Sequence, residues 1–205
     1  METVFDKYKK PLDMEFVRKD IVQIQNTVKQ NYTVFNLKKL LSYIDLTSLN
    51  NDDNMESILD LCSKLNNYSL QFRDTPSVAA ICVFPSLVCV VKENLKVKDM
   101  KIVSVAGGFP SSQTFLEVKK LEAKMAIEAG ASEIDTVMPA GRFRAGDYIN
   151  IAGELVAIKK SIGDIPVKVI LETGLLDTPE NIRNASLLAM QAGADFIKTS
   201  TGKIT

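Results

Sequence analysis

The sequence predicts an α/β fold, a TIM-type (β/α)8 barrel with about six of its eight β/α units in this chain. Three observations lead to this prediction. Strand-like and helix-like segments alternate from residue 41 onward, which is typical of a parallel sheet covered by helices. Four of the strand-like segments carry one charge near their centre. The first strand is followed by "SLNNDDNMES", which lacks the G-x-G-x-x-G turn expected in an open doubly wound sheet.

The strand predictions rest on short apolar runs between polar or glycine-containing segments. We predict six strands, at residues 41–47, 78–84, 101–107, 132–138, 167–173 and 195–200. Before them, residues 1–40 form a polar helical extension, because apolar residues recur three and four positions apart. The predicted organisation is therefore an N-terminal helical extension at 1–40 followed by a barrel domain at 41–205.

The helices between the strands have recognisable ends. Residues 111–130 begin with polar residues and stop at a glycine. In residues 177–193, Thr178 is the expected N-cap, Pro179 fits the first helical position and Gly193 follows the last turn. These signals place two crossover helices between parallel strands.

An internal repeat supports regular β/α units. "EAGASEIDT" at 128–136 and "QAGADFIKT" at 191–199 share Ala, Gly, Ala, Ile and Thr at equal positions, 63 residues apart. This offset corresponds to about two β/α units. The repeat aligns Asp135 with Lys198.

Charged residues interrupt four otherwise apolar strands: Asp45, Asp135, Lys168 and Lys198. An unpaired buried charge costs several kcal/mol or more, so we expect these four to meet. A barrel allows this, because inward side chains from different strands converge on its axis. The alternative interpretation is a buried ion-pair network that only sets the register of the strands.

The last predicted strand leads into chemistry that a lysine can perform. A buried lysine near a second cation has its neutral form favoured, and a neutral amine can attack a carbonyl to form a Schiff base. The loop at 199–202 contains Thr201 and Gly202, and its backbone N–H groups together with Lys203 suit a phosphate. The residues thus predict imine-forming chemistry on a small, phosphorylated carbonyl substrate.

Composition excludes several other classes of function. Lys and Arg together number 25, as do Asp and Glu, so nothing indicates a basic nucleic-acid surface. The absence of histidine excludes histidine-dependent triads and zinc sites, and the three cysteines show no CxxC spacing, so we expect free thiols and neither metal nor cofactor. No segment approaches 18 consecutive apolar residues, and the N-terminus lacks an apolar signal region. We expect no membrane partner and a cytoplasmic location.

Residues 40–205 resemble the deoxyribose-phosphate aldolase family. The motifs that carry the resemblance are "YIDLTSLNNDD", "AAICVFPSLV", "SVAGGFPSSQT", "GASEIDTVMP", "VKVILETGLL" and "AGADFIKTSTGK". The resemblance implies a class I aldolase with a TIM-barrel fold. Its reaction would be the reversible cleavage of 2-deoxy-D-ribose 5-phosphate to acetaldehyde and D-glyceraldehyde 3-phosphate, in deoxyribonucleoside catabolism. The N-terminal extension resembles those of eukaryote-type members.

The resemblance also implies roles for individual residues. Lys198 matches the lysine that forms the Schiff base, and Asp135 matches the aspartate that takes part in proton transfer. The remaining matches are pocket-lining or phosphate-side positions: Asp45, Thr47, Lys168, Thr201, Gly202 and Lys203. Cys82 matches an inward-facing cysteine that is not essential, and core packing is the simpler interpretation of it.

Members of this family continue through a seventh and an eighth β/α unit, and the seventh contributes a second lysine near the first. The sequence ends before their counterparts, so we expect a C-terminally incomplete barrel whose first and sixth strands do not pair. Lys198 would then lie exposed at an open edge with the pKa of a free lysine, and the 205-residue chain alone would be inactive and prone to associate. The alternative function is a catalytically inactive, aldolase-derived interaction protein.

Overall fold

The computed structural model describes residues 11–204, so residues 1–10 of the predicted extension lie outside the described residues. Two helices come first, and strands and helices then alternate. The helices are α1 (Met14–Asn31), α2 (Val34–Leu41), α3 (Met55–Gln71), α4 (Val88–Asn94), α5 (Leu116–Ala129), α6 (Ala140–Arg144), α7 (Tyr148–Ile162) and α8 (Pro179–Gln191). The strands are β1 (Asp45–Thr47), β2 (Ala80–Val83), β3 (Lys101–Ala106), β4 (Glu133–Val137), β5 (Val167–Ile170) and β6 (Phe196–Lys198).

The six strands form one parallel sheet in chain order, from β1 at one edge to β6 at the other. This order is that of consecutive β/α units in a barrel, and it confirms the predicted α/β class with six units. The two edge strands do not pair with each other, as expected. The sheet is therefore an open, six-stranded part of a barrel.

Side chains alternate between the two faces of each strand, and the two faces differ in character. Ile81, Ile134 and Val169 point outward into the main hydrophobic core, which lies between the sheet and the helices. The inner face holds a smaller apolar cluster that consists of Leu49, Ala80, Cys82, Val103 and Val105. Charged side chains from β1, β4, β5 and β6 occupy the rest of the inner face.

Two predicted helix ends are confirmed. The Thr178 hydroxyl accepts a hydrogen bond of 3.1 Å from the Asn181 amide, and Pro179 opens α8. Gly193 lies beyond the end of α8 with a φ of 92°, a left-handed conformation that glycine adopts at little cost.

Several predicted boundaries were wrong. Leu41 closes α2 instead of opening a strand, so β1 is only three residues long. β5 ends at Ile170 because Glu172 takes a left-handed φ of 54°, after which a short 3₁₀ turn follows. α5 begins at Leu116 and not at 111, since the segment before it forms a loop in which Ser112 has a φ of 60°.

The side chains of β6 are more exposed than those of the central strands. Phe196 is 53% exposed and Ile197 is 37% exposed. As the last strand of the sheet, β6 has only β5 as a neighbour, so its side chains are covered from one direction only.

The N-terminal helices contribute little to the core. Asp13 caps α1 by accepting hydrogen bonds of 3.0 Å from the amides of Glu15 and Phe16, but neither α1 nor α2 contains a buried residue. The division into an extension and a barrel domain stays a prediction. None of the helices between residues 11 and 204 has the length and apolar character needed to cross a membrane.

Candidate active site

The four charges predicted to converge do meet on the inner face of the sheet. Lys198 Nζ donates a hydrogen bond to Asp135 Oδ2 and lies 3.6 Å from Asp45 Oδ2. Lys168 Nζ lies 3.3 Å from the same Asp45 oxygen and 3.5 Å from Asp135 Oδ1. Strand register explains the meeting, because Asp135 stands opposite Lys168, and Lys198 follows one strand further on.

A third carboxylate, Glu133, belongs to the cluster and was not predicted from the sequence. Lys168 Nζ donates a hydrogen bond to Glu133 Oε2, and the Glu133 side chain is 14% exposed. The signal was present in "EIDTV", because residues two apart on a strand point to the same face. Glu133 must therefore face inward if Asp135 does.

Burial dominates the chemistry of Asp135, whose side chain is only 1% exposed. The loss of solvation raises the pKa of Asp135, although the charges of Lys198 and Lys168 act in the opposite direction. Asp135 Oδ1 accepts no hydrogen bond from the described residues, whereas Oδ2 accepts the one from Lys198. Asp135 is thus a stronger base than an ordinary carboxylate, and its Oδ1 lies 3.5 Å from Lys168 Nζ without a hydrogen bond from the described residues.

Lys198 is half-buried, and its pKa differs from both predictions made for it, a neutral amine and an ordinary free lysine. Burial acts to lower the pKa of Lys198, but the charge and hydrogen bond of Asp135, aided by Asp45, raise it above its ordinary value. The prediction of a neutral amine beside a second cation was therefore wrong. The prediction of a free-lysine pKa at an exposed edge was wrong as well. The partners of Lys198 are carboxylates, which hold it as an ammonium ion at neutral pH.

Lys168 has the same balance of effects. Burial acts to lower its pKa, but Asp135, Glu133 and Asp45 together raise it. Its Nζ also lies 5.8 Å from the centre of the Phe196 ring, a distance at which a cation and an aromatic face attract. Lys168 is thus a fixed positive charge within the cluster.

The cysteines differ in their reactivity. Burial, with a contribution from Asp135, raises the pKa of Cys82 to about 12, and its Sγ lies 3.9 Å from Asp135 Oδ2. Burial also raises the pKa of Cys62, whereas Cys89 is exposed on α4. Cys82 faces inward as expected, but as a neutral thiol it is no nucleophile.

A buried acid, which lies within the predicted fifth strand at 167–173, binds the loop after β6. Glu172, which is 4% exposed, accepts hydrogen bonds from the amide of Thr201, at 3.1 Å, and from its hydroxyl. The Thr201 hydroxyl in turn accepts a 3.1 Å hydrogen bond from the Lys203 amide. The Thr201 side chain is therefore engaged within the protein, and Glu172 shapes the loop.

The other predicted site residues lie near the same end of the sheet. Gly202 has a φ of 73°, which suits glycine, and the exposed Lys203 ammonium forms no ion pair with the described residues. The exposed Thr47 hydroxyl donates a 3.1 Å hydrogen bond to the carbonyl of Asp45. Between residues 11 and 204, no Asp, Glu and Cys side chains form a group of three that could hold a metal ion.

We expect Glu172→Gln to loosen this loop. A neutral amide is a weaker acceptor than a carboxylate, so the free energy of unfolding should fall by about 1–3 kcal/mol. Urea denaturation measures this change, and hydrogen exchange at the Thr201 amide should become faster. Glu93→Gln, at an exposed position on α4, is the control. Unchanged stability together with unchanged Thr201 exchange would show that Glu172 does not hold the loop.

Comparison with known proteins identifies the family of this chain. A family profile described as DeoC/LacD family aldolase matches residues 39–205. Deoxyribose-phosphate aldolase from Homo sapiens is 38% identical over 198 residues, which cover 92% of this chain and 62% of the human protein. The enzyme of the same name from Bos taurus is 37% identical, with the same coverage of both chains. The chain therefore spans less than two thirds of the length of these relatives.

Solved structures show the same likeness. The aldolase QR15 superposes with a TM-score of 0.70 at 32% identity, over 80% of this chain and 68% of that one. Deoxyribose phosphate aldolase from Aeropyrum pernix, described as having a unique tetrameric structure, gives a TM-score of 0.64 at 30% identity, over 82% of this chain and 67% of that one. With the profile covering most of its length, the chain belongs to the DeoC/LacD aldolase family.

Proposed function

We propose that this protein is a class I aldolase that uses Lys198 to form a Schiff base with 2-deoxy-D-ribose 5-phosphate. The observation that carries the proposal is the contact between the Lys198 amine and the buried Asp135 carboxylate, in a chain of the DeoC/LacD aldolase family. The names of the human and bovine relatives support the choice of substrate.

The first step is the preparation of the amine. Lys198 rests as an ammonium ion and must lose a proton before it attacks a carbonyl. The Lys198 side chain is 27% exposed, so this proton can pass to solvent water, while the hydrogen bond to Asp135 holds the amine in place. The neutral amine then adds to C1 of the open-chain sugar, and loss of water gives the imine.

The second step is the cleavage of the C2–C3 bond. A base removes the proton of the C3 hydroxyl, and the electron pair of the broken bond moves into the protonated imine to give an enamine. Glyceraldehyde 3-phosphate leaves, C2 of the enamine takes up a proton, and water releases acetaldehyde from Lys198. Asp135 is the carboxylate positioned to move these protons, since it contacts the same nitrogen.

The phosphate of the substrate is assigned to the loop after β6. Lys203 supplies a positive charge without a partner among the described residues, and Gly202 leaves the backbone accessible. Asp45, Thr47 and Lys168 would line the pocket around the sugar. A cytoplasmic location, a role in deoxyribonucleoside breakdown and assembly into a homo-oligomer, as in the tetrameric relative, belong to the same proposal.

Nothing among the described residues favours the alternative of an inactive interaction protein. Lys198 and Asp135 are both present and in contact, whereas an interaction role alone would place no demand on this pair.

Trapping of the imine tests the proposal. With acetaldehyde and cyanoborohydride, the full-length protein should gain one ethyl group on Lys198, and the yield should rise from neutral toward alkaline pH because the pKa of Lys198 is raised. 2-Deoxyribose 5-phosphate should protect Lys198 better than 2-deoxyribose does. Peptide mass spectrometry locates the group. Ethylation of Lys168 or Lys203 with Lys198 unmodified would refute the assignment.

A further inference from the structure

Lys168 forms its hydrogen bond with Glu133 and not with the residue that strand register places opposite it. Lys168 on β5 stands directly opposite Asp135 on β4. Its ammonium nevertheless donates its hydrogen bond to Glu133, two residues earlier on the same face of β4, and stays 3.5 Å from Asp135. Asp135 thereby keeps Oδ2 for Lys198, which comes from the next strand.

The charges around Lys198 can be counted strand by strand. Asp45 on β1, Cys82 on β2 and Asp135 on β4 interact with Lys198 directly. Lys168 on β5 contacts both of these carboxylates, and Glu133 on β4 contacts Lys168. Cys82 is a neutral thiol, and β3 contributes only valines to the inner cluster. The cluster therefore contains three carboxylates and two ammonium groups.

The two lysines would compete if Glu133 carried no charge. Lys168 contacts all three carboxylates, whereas Lys198 contacts only Asp45 and Asp135. Without Glu133, Lys168 would keep only Asp45 and Asp135 as partners, and Lys198 contacts the same two carboxylates. Asp135 would then be shared between two cations.

We propose that Glu133 is a positioning residue for the aldolase reaction, which neutralises Lys168 and so leaves Asp135 bound to the amine of Lys198. This inference rests on the proposed function and adds to it a residue that acts through Lys168. Glu133 itself need not touch the substrate.

Loss of the Glu133 charge should have two opposite effects. Lys168 would draw Asp135 and Asp45 toward itself and weaken their hold on the ammonium of Lys198, so Lys198 would release its proton more easily and imine formation should become faster at neutral pH. Asp135 would turn toward Lys168, so the proton transfers that follow imine formation should become slower. A residue with a purely structural role would not separate these two steps in opposite directions.

The experiment uses Glu133→Gln and an NMR titration of the side chain of Lys198 in the ligand-free protein, assigned with Lys198→Arg. The fraction of neutral Lys198 at neutral pH should rise roughly tenfold. Exchange of the methyl protons of acetaldehyde in D₂O should slow by roughly tenfold. Glu133→Asp, which keeps the charge, should restore the titration midpoint toward the original, and the exposed Glu128→Gln should leave it unchanged.

A double variant tests whether Glu133 acts through Lys168. In a Lys168→Met background, Glu133→Gln should no longer shift the titration of Lys198, because the competing cation is gone. The double variant removes both partners of the Lys168–Glu133 ion pair, so it leaves neither charge buried without its partner. It therefore stays informative if Glu133→Gln alone does not fold.

The titration separates the failure of this inference from the failure of the proposed function. An unchanged Lys198 midpoint in folded Glu133→Gln, or an equal shift in the Lys168→Met background, would overturn the role of Glu133. A protein that is never ethylated at Lys198 would overturn the proposed aldolase chemistry. The titration midpoint would still report the effect of Glu133 in that case, because it needs no substrate.

Discussion

In the full-length protein, Lys198→Arg should abolish aldolase turnover while leaving the fold intact. Arginine retains the positive charge that pairs with Asp135 and Asp45, but its guanidinium stays protonated and cannot form an imine. Removal of a covalent nucleophile lowers rates by roughly 10⁴- to 10⁶-fold, so acetaldehyde release from 2-deoxyribose 5-phosphate should fall to background. Ethylation with acetaldehyde and cyanoborohydride should be lost at residue 198.

Lys160→Arg, at an exposed position on α7, serves as the matched control. It should retain both the release of acetaldehyde and the ethylation of Lys198. Thermal unfolding should show that the melting temperature of Lys198→Arg stays within a few degrees of the original. Turnover that survives in Lys198→Arg would place the Schiff base on another lysine, and the charged cluster would then be structural only.

Asp135→Asn should separate imine formation from proton transfer. Asparagine keeps the shape of the side chain but cannot accept a proton, so exchange of the acetaldehyde methyl protons in D₂O should fall by roughly 10²-fold. The carboxylate that raises the pKa of Lys198 is also removed, so imine trapping at neutral pH should be unchanged or faster. NMR of acetaldehyde in D₂O and mass spectrometry of the trapped protein measure the two steps independently.

The structural alternative predicts a different pattern for this variant. If Asp135 only compensates charge between strands, exchange should be unchanged while the melting temperature falls. Equal losses in trapping and in exchange would instead show that Asp135 acts before the imine forms, by preparing the amine.

Much of the sheet could be predicted because strand and helix periodicities differ. The four inward charges were visible as single interruptions of apolar strands, and a closed or partly closed sheet is the arrangement that brings them together. The end of β5 could not be predicted, since "VILET" has the composition of a continuous strand and only the left-handed backbone of Glu172 ends it.

The electrostatics of the site were harder to predict than its composition. A lysine in an apolar strand predicts a lowered pKa, but the direction depends on which group lies nearest, and Lys198 has a carboxylate there. Glu133 was missed because it stands at the start of β4, where a polar residue is unremarkable in the sequence. The two-residue alternation with Asp135 was the available signal.

The cysteines have a practical consequence. Thiol-directed fluorophores react with exposed thiolates, and the raised pKa values of the buried Cys62 and Cys82 keep those two thiols protonated and unreactive. Cys89 lies exposed on α4, whose buried residues pack into the outer core and not onto the charged inner face. The unaltered chain thus offers one exposed thiol as an attachment point for a fluorescent reporter, and labelling it alters no residue of the charged cluster.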